Sequence, residues 1–405
     1  MSRTTTTPPA RQRLRVAALA LMVMLLDTAS IALAQAPDLK LTPGVTVVGD
    51  GGTMRFVAVY DPDGAGPALQ QYPDGSLLAW HSDNLSVLVI DQTGLALGRQ
   101  PGTATVTATY GALTASAQVT VAGTLDQHSF QTPDGRTRTY LLYVPESYAG
   151  APTPVVLAFH GGHGGNSYSL MYGSQLNNVA HTNGFVVAYP DGTDAPGGVQ
   201  PSWNGGGCCG YAAANHVDDV GFTRMLIDDI GTLVNVDEQR VFATGISNGG
   251  VFSHRLGMEL ADRIAAIAPV AGGLQQGGDF KTKSPSRPIS VMDFHGKTDA
   301  IYPYAAIPPA ITYWKWKDKL LAAKKVVTYQ NGIETCVTNA SSVAEVTLCT
   351  AAPPVNVVVN GVVYDGGGHC WPGGVKSNVD WADVPTQDIN ASAAMWEFFK
   401  RHPKP

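Results

Sequence analysis

Charge is scarce in this sequence. Only 14% of its 405 residues are Asp, Glu, Lys or Arg, against 44% hydrophobic. A chain so poor in charge and so rich in apolar side chains is not intrinsically disordered, and it can build a large core. Basic residues are outnumbered, giving a net charge of −6, so no nucleic-acid partner is expected. Long apolar runs are also missing. Apart from a stretch near the N-terminus, nothing approaches the ~20 residues that span a bilayer. Five cysteines are too few for a disulfide scaffold. The 45 Gly and 27 Pro follow no period, which excludes collagen, and no heptad repeat suggests a coiled coil. At about 150 residues per domain, the length predicts two or three domains.

The first residues read as a targeting segment. Arg11, Arg13 and Arg15 precede an apolar run from Val16 to Leu26, and Ala32-Leu33-Ala34 is a small-x-small cleavage site. Residues 1–34 are therefore expected to be a signal peptide, with Gln35 the first mature residue. The run is too short for a membrane anchor, and no cysteine follows it that could carry a lipid. A secreted protein, extracellular or periplasmic, is expected, with no membrane partner after cleavage and disulfides permitted.

From Leu39 to about Gly123 the texture is all-β. Met54–Tyr60, Ser86–Ile90, Thr103–Tyr110 and Ala115–Val121 are short, β-branched and separated by Gly-, Pro- and Asp-rich turns. Gly52, Trp80-x-Ser82-Asp83, Gly94 and Pro101-Gly102-Thr103 occur in the order seen in bacterial immunoglobulin-like group 2 domains, which residues 38–122 resemble. The resemblance implies that Trp80 is the core tryptophan of a sandwich. No row of exposed aromatics for a sugar is visible, so a spacer is favoured over an adhesion module.

From Thr124 to the C-terminus, continuous apolar runs (Tyr140–Val144, Val155–Phe159, Phe185–Tyr189, Val241–Thr244, Ile264–Val270, Ile289–Phe294) alternate with helical stretches such as Asp218–Leu233 and Asp388–Lys400. Continuous rather than alternating runs are strands buried on both faces. The alternation predicts an α/β domain, residues 124–405, with a doubly wound and mostly parallel sheet. Its chemistry should gather at the carboxyl ends of the strands.

Gly245-Ile246-Ser247-Asn248-Gly249 follows the strand ending at Thr244 and precedes a helix. This is the strand–turn–helix setting in which a serine is lifted onto a tight turn as a nucleophile, rather than merely capping a helix. A serine hydroxyl needs a base, and the base an orienting acid. Of the histidines downstream, His254 lies on the helix leaving the turn, His402 lies near the C-terminus, and His295 is suited to supporting a loop. His369, in a Gly-rich loop (GGGHCWPGG), is the expected base. Asp299 follows the strand ending at Phe294 and is the expected acid, with Asp293, inside that strand, as second choice. His160-Gly161-Gly162-His163-Gly164-Gly165-Asn166 follows another strand; such a loop can aim N–H groups at a developing oxyanion, with the N–H of Asn248 as second donor. His160 is expected to be structural, because the sequence places no third ligand near His160 and His163, and no metal is expected.

These stretches, together with Ser202-Trp203-Asn204 through Cys208-Cys209-Gly210, Val217-Asp218-Asp219-Val220-Gly221-Phe222 and D-F-H-G-x-x-D-x-x-x-P-Y, resemble the secreted polyhydroxybutyrate depolymerase / feruloyl esterase-like family of α/β-hydrolases over residues 128–400. The resemblance implies a serine carboxylesterase without metal or organic cofactor. Its triad would be Ser247, Asp299 and His369, and its oxyanion donors Gly162 and Asn248. It also implies an ester substrate, polymeric in some members: a polyhydroxyalkanoate-type polyester, or a feruloylated or acetylated plant polysaccharide. Trp203 and Trp371 stand in loops expected beside the triad and are candidate substrate contacts. Asp218 and Asp219 precede a helix and are expected to cap it. A monomer is expected. The rival readings are an inactive hydrolase scaffold used for adhesion, and a lipase or peptidase of the same fold, although no long apolar lid segment is present.

Five cysteines in an oxidising compartment leave one unpaired. Cys336 and Cys349 flank a polar loop and are expected to pair. Cys208, Cys209 and Cys370 compete for a second bridge. A bond between the neighbours Cys208 and Cys209 closes an eight-membered ring, so the expectation is that Cys370 pairs with Cys208 or Cys209 and pins the His369 loop. A buried free thiol at Cys370 is the rival.

Overall fold

The computed structural model describes residues 36–43, 45–63, 77–275, 284–352, 357–359, 362–364, 367–376 and 383–405. The expected signal peptide, residues 1–34, lies outside the described residues. The N-terminal strands are β1 (Asp38–Thr42), β2 (Val45–Gly49), β3 (Thr53–Arg55), β4 (Val57–Asp61), β5 (Leu78–Ser82), β6 (Leu88–Ile90), β7 (Leu95–Gly98), β8 (Gly102–Tyr110) and β9 (Leu113–Ala122). They form one sheet in the order β2-β9-β8-β5, a second in the order β3-β7-β6, and the pair β1-β4. Alternate residues of β8 (Ala104, Val106, Ala108) and of β9 (Ala117, Val119, Val121) point into a common core, as the pleat of a half-buried strand requires. Trp80 is buried in that core against Phe56. The run Met54–Tyr60, expected as one strand, is two: Phe56 breaks it, its N–H donating to Gly94 O (2.7 Å).

The larger sheet is built from β10 (Thr124–Gln131), β11 (Thr137–Val144), β12 (Thr153–Phe159), β13 (Val186–Pro190), β14 (Val236–Ile246), β15 (Ala266–Val270), β16 (Ser290–Gly296), β17 (Lys325–Asn331), β18 (Glu334–Ala340) and β19 (Glu345–Ala351). Its order is β10-β11-β13-β12-β14-β15-β16-β19-β18-β17. The six central strands, β13 to β19, run parallel, and both margins are antiparallel. A short hairpin, β20 (Val357–Val359) with β21 (Val362–Tyr364), stands apart from this sheet.

The helices are α1 (Ser167–Ser174), α2 (Leu176–Asn183), α3 (Gly210–Ala214), α4 (Asp219–Leu233), α5 (Asn248–Glu259), α6 (Ile307–Lys317) and α7 (Ala391–Lys400). Along the central strands successive side chains go to opposite faces. Val155, Leu157, Val241, Ala243 and Ile267 meet Phe222, Leu226, Phe252, Ile311 and Trp314 from α4, α5 and α6. Val156, Ala158, Phe242, Ala266 and Ala268 meet Leu170, Leu176, Trp396 and Phe399 from α1, α2 and α7. Burial on both faces explains the uninterrupted apolar runs. The doubly wound, mostly parallel architecture is the one the sequence predicts.

The N-terminal module is seated on α2. Asn178 accepts from Gly49 N (3.0 Å) and donates to Thr53 O (2.6 Å). The fully buried Asn177 donates to Asp50 O (2.6 Å) and accepts from Tyr189 Oη (2.7 Å). Tyr143 Oη donates to Ala122 O (3.2 Å). These side chains satisfy turn carbonyls and amides of the sandwich that would otherwise need water.

The cysteines pair differently from the expectation in one respect. Cys336 and Cys349 are bridged, facing each other directly across β18 and β19. The second bridge joins the neighbours Cys208 and Cys209, and Cys370 is a buried free thiol. The expected bond from Cys370 to Cys208 or Cys209 is therefore absent: Cys370 is buried, whereas the Cys208–Cys209 pair is half-exposed.

Candidate active site

Ser247 occupies the turn between β14 and α5 with φ 57° and ψ −119°. A non-glycine residue in this region is strained and persists only where its surroundings enforce it. They do so here by leaving no room for side chains. A Cβ on Gly249 would lie 2.0 Å from Phe159 O, and one on Gly245 would lie 2.5 Å from the same oxygen. The helix can thus start directly against the end of β12, and Ser247 N donates to Val270 O (2.9 Å) on the other side.

The glycine loop after β12 lies beside this turn. A Cβ built on Gly162 has Asn248 Cβ as its nearest neighbour, at 3.8 Å, so the two expected oxyanion donors adjoin each other. His160 anchors the loop. It is fully buried, its Nε2 accepts from Gly192 N (2.9 Å) and its Nδ1 faces Gly161 O (2.7 Å). Burial pulls its pKa down to about 4, so the ring is neutral at pH 7 with its donor on Nδ1.

The structure brings His369 and Asp299 together. His369 Nδ1 lies 2.7 Å from Asp299 Oδ2, both side chains buried. The other carboxylate oxygen accepts from Ile301 N (2.9 Å) and Tyr302 N (2.7 Å), which leaves Oδ2 directed at the imidazole. His295 Nε2 binds Tyr302 O (2.7 Å) and lies 3.4 Å from Asp299 Oδ2, a loop support. The His369 loop sits on the end of β16: a Cβ on Gly296 would lie 1.8 Å from Gly367 O, and Thr298 N donates to that carbonyl (3.0 Å). His369 N donates to Asp383 (2.5 Å). Asp293, the second choice for the acid, lies elsewhere. It is buried beneath α5, 3.3 Å from His254 Nε2, while His254 Nδ1 accepts from Trp314 Nε1 (2.9 Å). Ser247, Asp299 and the Gly162 loop thus emerge from the carboxyl ends of β14, β16 and β12, which fall within four adjacent strands of the sheet.

Two expected substrate contacts are corrected by burial. Trp203 is 0% exposed and Trp371 4%, and both rings are engaged in packing. Trp203 is stacked on Phe252 and Phe222 with Phe159 at its edge, and its Nε1 donates to His160 O (3.1 Å). Trp371 donates from Nε1 to Ser392 Oγ (3.0 Å) and packs with α7. An indole whose N–H finds a partner can be buried whole.

One group was not legible in advance. Asp218 caps α4, accepting from Gly221 N (2.8 Å), but Asp219 is buried, pairs with Arg138 (2.9 Å) and accepts from Asn204 N (2.8 Å). Arg255 donates to Asn204 O (2.8 Å). This network fixes the loop that carries Trp203. Nothing in the local sequence of Asp219 distinguishes it from Asp218. Among the described residues, no group of three or more His, Cys, Asp or Glu side chains could hold a metal ion, and no helix is long and apolar enough to cross a membrane.

Residues 36–121 match the bacterial Ig-like domain (group 2) family. The chain is similar to Feruloyl esterase B of Piromyces equi, 36% identical over 172 residues, which are 41% of this chain and 30% of that protein. It is also similar to Feruloyl esterase C of Emericella nidulans, 25% identical over 268 residues, covering 65% of this chain and 83% of that protein. Beyond the Ig-like match, the sequence similarity is thus to esterases. In shape the chain is similar to an acetyl xylan esterase from Aspergillus awamori, with a TM-score of 0.47 and 15% identity over 69% of this chain and all of that one. The chain spans less than a third of the length of the Piromyces esterase that it matches.

Proposed function

We propose that this protein is a secreted serine carboxylic ester hydrolase, with a signal peptide at residues 1–34, an Ig-like module at 38–122 and the hydrolase domain at 124–405. The observation that carries the reading is the buried His369–Asp299 hydrogen bond on the same end of the sheet as the strained Ser247 turn. Ser247 Oγ attacks the ester carbonyl carbon as His369 takes its proton. The imidazolium is stabilised by Asp299, which also holds the ring by Nδ1. The tetrahedral oxyanion is bound by the N–H groups of Gly162 and Asn248. Collapse expels the alcohol, protonated by His369, and leaves an acyl-Ser247. A water activated by the same imidazole then releases the acid.

The substrate class is feruloyl or acetyl esters of plant polysaccharide. The similarity to two proteins named feruloyl esterases supports this over polyhydroxyalkanoate-type polyesters, the second substrate class. Product analysis on methyl ferulate, acetylated xylan and polyhydroxybutyrate tests it. Release of ferulate or acetate but no hydroxybutyrate is expected; turnover of the polyester alone would overturn the assignment.

A further inference from the structure

We infer that Trp203 is a positioning residue that sets the spacing of the two oxyanion donors, and that the Cys208–Cys209 disulfide braces it. The inference rests on the proposed serine esterase activity. Asn248 spends both polar atoms of its buried side chain on one residue: Oδ1 accepts from Trp203 N (2.7 Å) and Nδ2 donates to Trp203 O (2.9 Å). The same Trp203 reaches the other arm of the hole, its Nε1 donating to His160 O (3.1 Å), two residues before Gly162. One fully buried residue therefore ties the glycine loop to the nucleophile turn. Preorganised donors are effective only at the spacing the oxyanion requires. A strut between them acts on the transition state rather than on the bound ester.

The strut is braced from the solvent side. Trp203 O also accepts from Cys209 N (3.3 Å), and Cys209 is tied covalently to Cys208. Both cysteines are half-exposed, unlike the fully buried Cys336–Cys349 pair. A soluble dithiol should reach them first: it gives up two electrons and two protons to become its own cyclic disulfide, and the Cys208–Cys209 bond opens to two thiols.

The test compares Trp203→Phe, which keeps the stacked ring but loses the indole donor, with Asn248→Ala, which keeps its backbone N–H but loses the clamp. Readouts are kcat and KM on p-nitrophenyl acetate, the inhibition constant of a trifluoromethyl ketone, and Tm, with Ser247→Ala as control. The expected result is a fall in kcat of roughly 10-fold for Trp203→Phe and 10²-fold for Asn248→Ala, KM within about 3-fold, and inhibitor affinity falling with kcat/KM. A kcat within about 3-fold of the native protein in both variants, or a loss carried by KM, overturns the inference. If Ser247→Ala retains activity, the esterase reading itself fails. The native protein, treated with dithiothreitol and alkylated until only Cys208 and Cys209 are newly labelled, should lose kcat in the same way. Unchanged kcat there would remove the disulfide from the account.

Discussion

Burial decides what each polar side chain around the site can do. Cys370 adjoins the proposed base, but burial and the nearby carboxylates of Asp383, Glu334 and Asp299 push its thiol up to about 12. A thiol held protonated is inert. Iodoacetamide at pH 8 should leave Cys370 unmodified in the folded protein and label it after unfolding without reductant, as read by intact mass. Labelling of the folded protein would contradict the burial. Asp318 and Glu334 are pushed up to about 7 by burial, above the ordinary carboxylate range. The folded protein therefore holds these protons to higher pH than the unfolded chain. Their contribution to stability is present below about pH 4 and is lost as the pH rises through 7. Asp318→Asn keeps an acceptor for Ile289 N and removes the titration. It should match the native protein near pH 4 and exceed it by roughly 1–3 kcal/mol at pH 8, measured by denaturant unfolding. Single residues with a motif around them, such as Ser247 and His369, are legible in the sequence. The fates of Trp203 and Trp371 are not, because a ring in a glycine-rich loop reads as exposed until the loop is seen to fold inward.

Elements are legible where periodicity and punctuation agree. The parallel strands β12, β13, β15 and β16 lie within a residue or two of their apolar runs, whereas β14 starts five residues earlier, through the mostly polar stretch Val236–Arg240, and β19 matches no expected run. The exposed edge strand β17 has no buried face to reveal it. The nucleophile turn is the element on which most depends, and its glycines test it. Gly249→Ala would drive a Cβ against Phe159 O. That should move β12 from α5, lower Tm by several degrees and reduce esterase activity by more than about 10²-fold. A variant with native Tm and activity would show that the turn is not close-packed. The Cys336–Cys349 bond joins directly opposed residues of β18 and β19, and its 13-residue separation corresponds to about 3 kcal/mol in the chain-entropy model. The Cys208–Cys209 bond escaped the sequence because ring strain argues against it and only the fold of the loop argues for it.

At the scale of the whole molecule, the order of the two domains and their classes follow from texture, β-alternating first and strand–helix later. How they meet does not. The contact depends on Asn177 and Asn178 of α2 reaching backbone groups of turns more than 120 residues earlier. A chain starting at Thr124 leaves Asn177 without Asp50 O and Tyr143 without Ala122 O. It should melt several degrees lower yet hydrolyse p-nitrophenyl acetate within about 3-fold of the full chain, since every proposed catalytic group lies beyond residue 124. A folded truncated chain without activity would instead make the Ig-like module part of the site. The central claim is that Ser247 is the nucleophile of a serine esterase, and hydrolysis of p-nitrophenyl acetate by the native protein and by Ser247→Ala tests it most directly. Turnover should fall by about 10⁵- to 10⁶-fold with Tm preserved. Retention of even about a tenth of native activity in a folded variant would contradict the account.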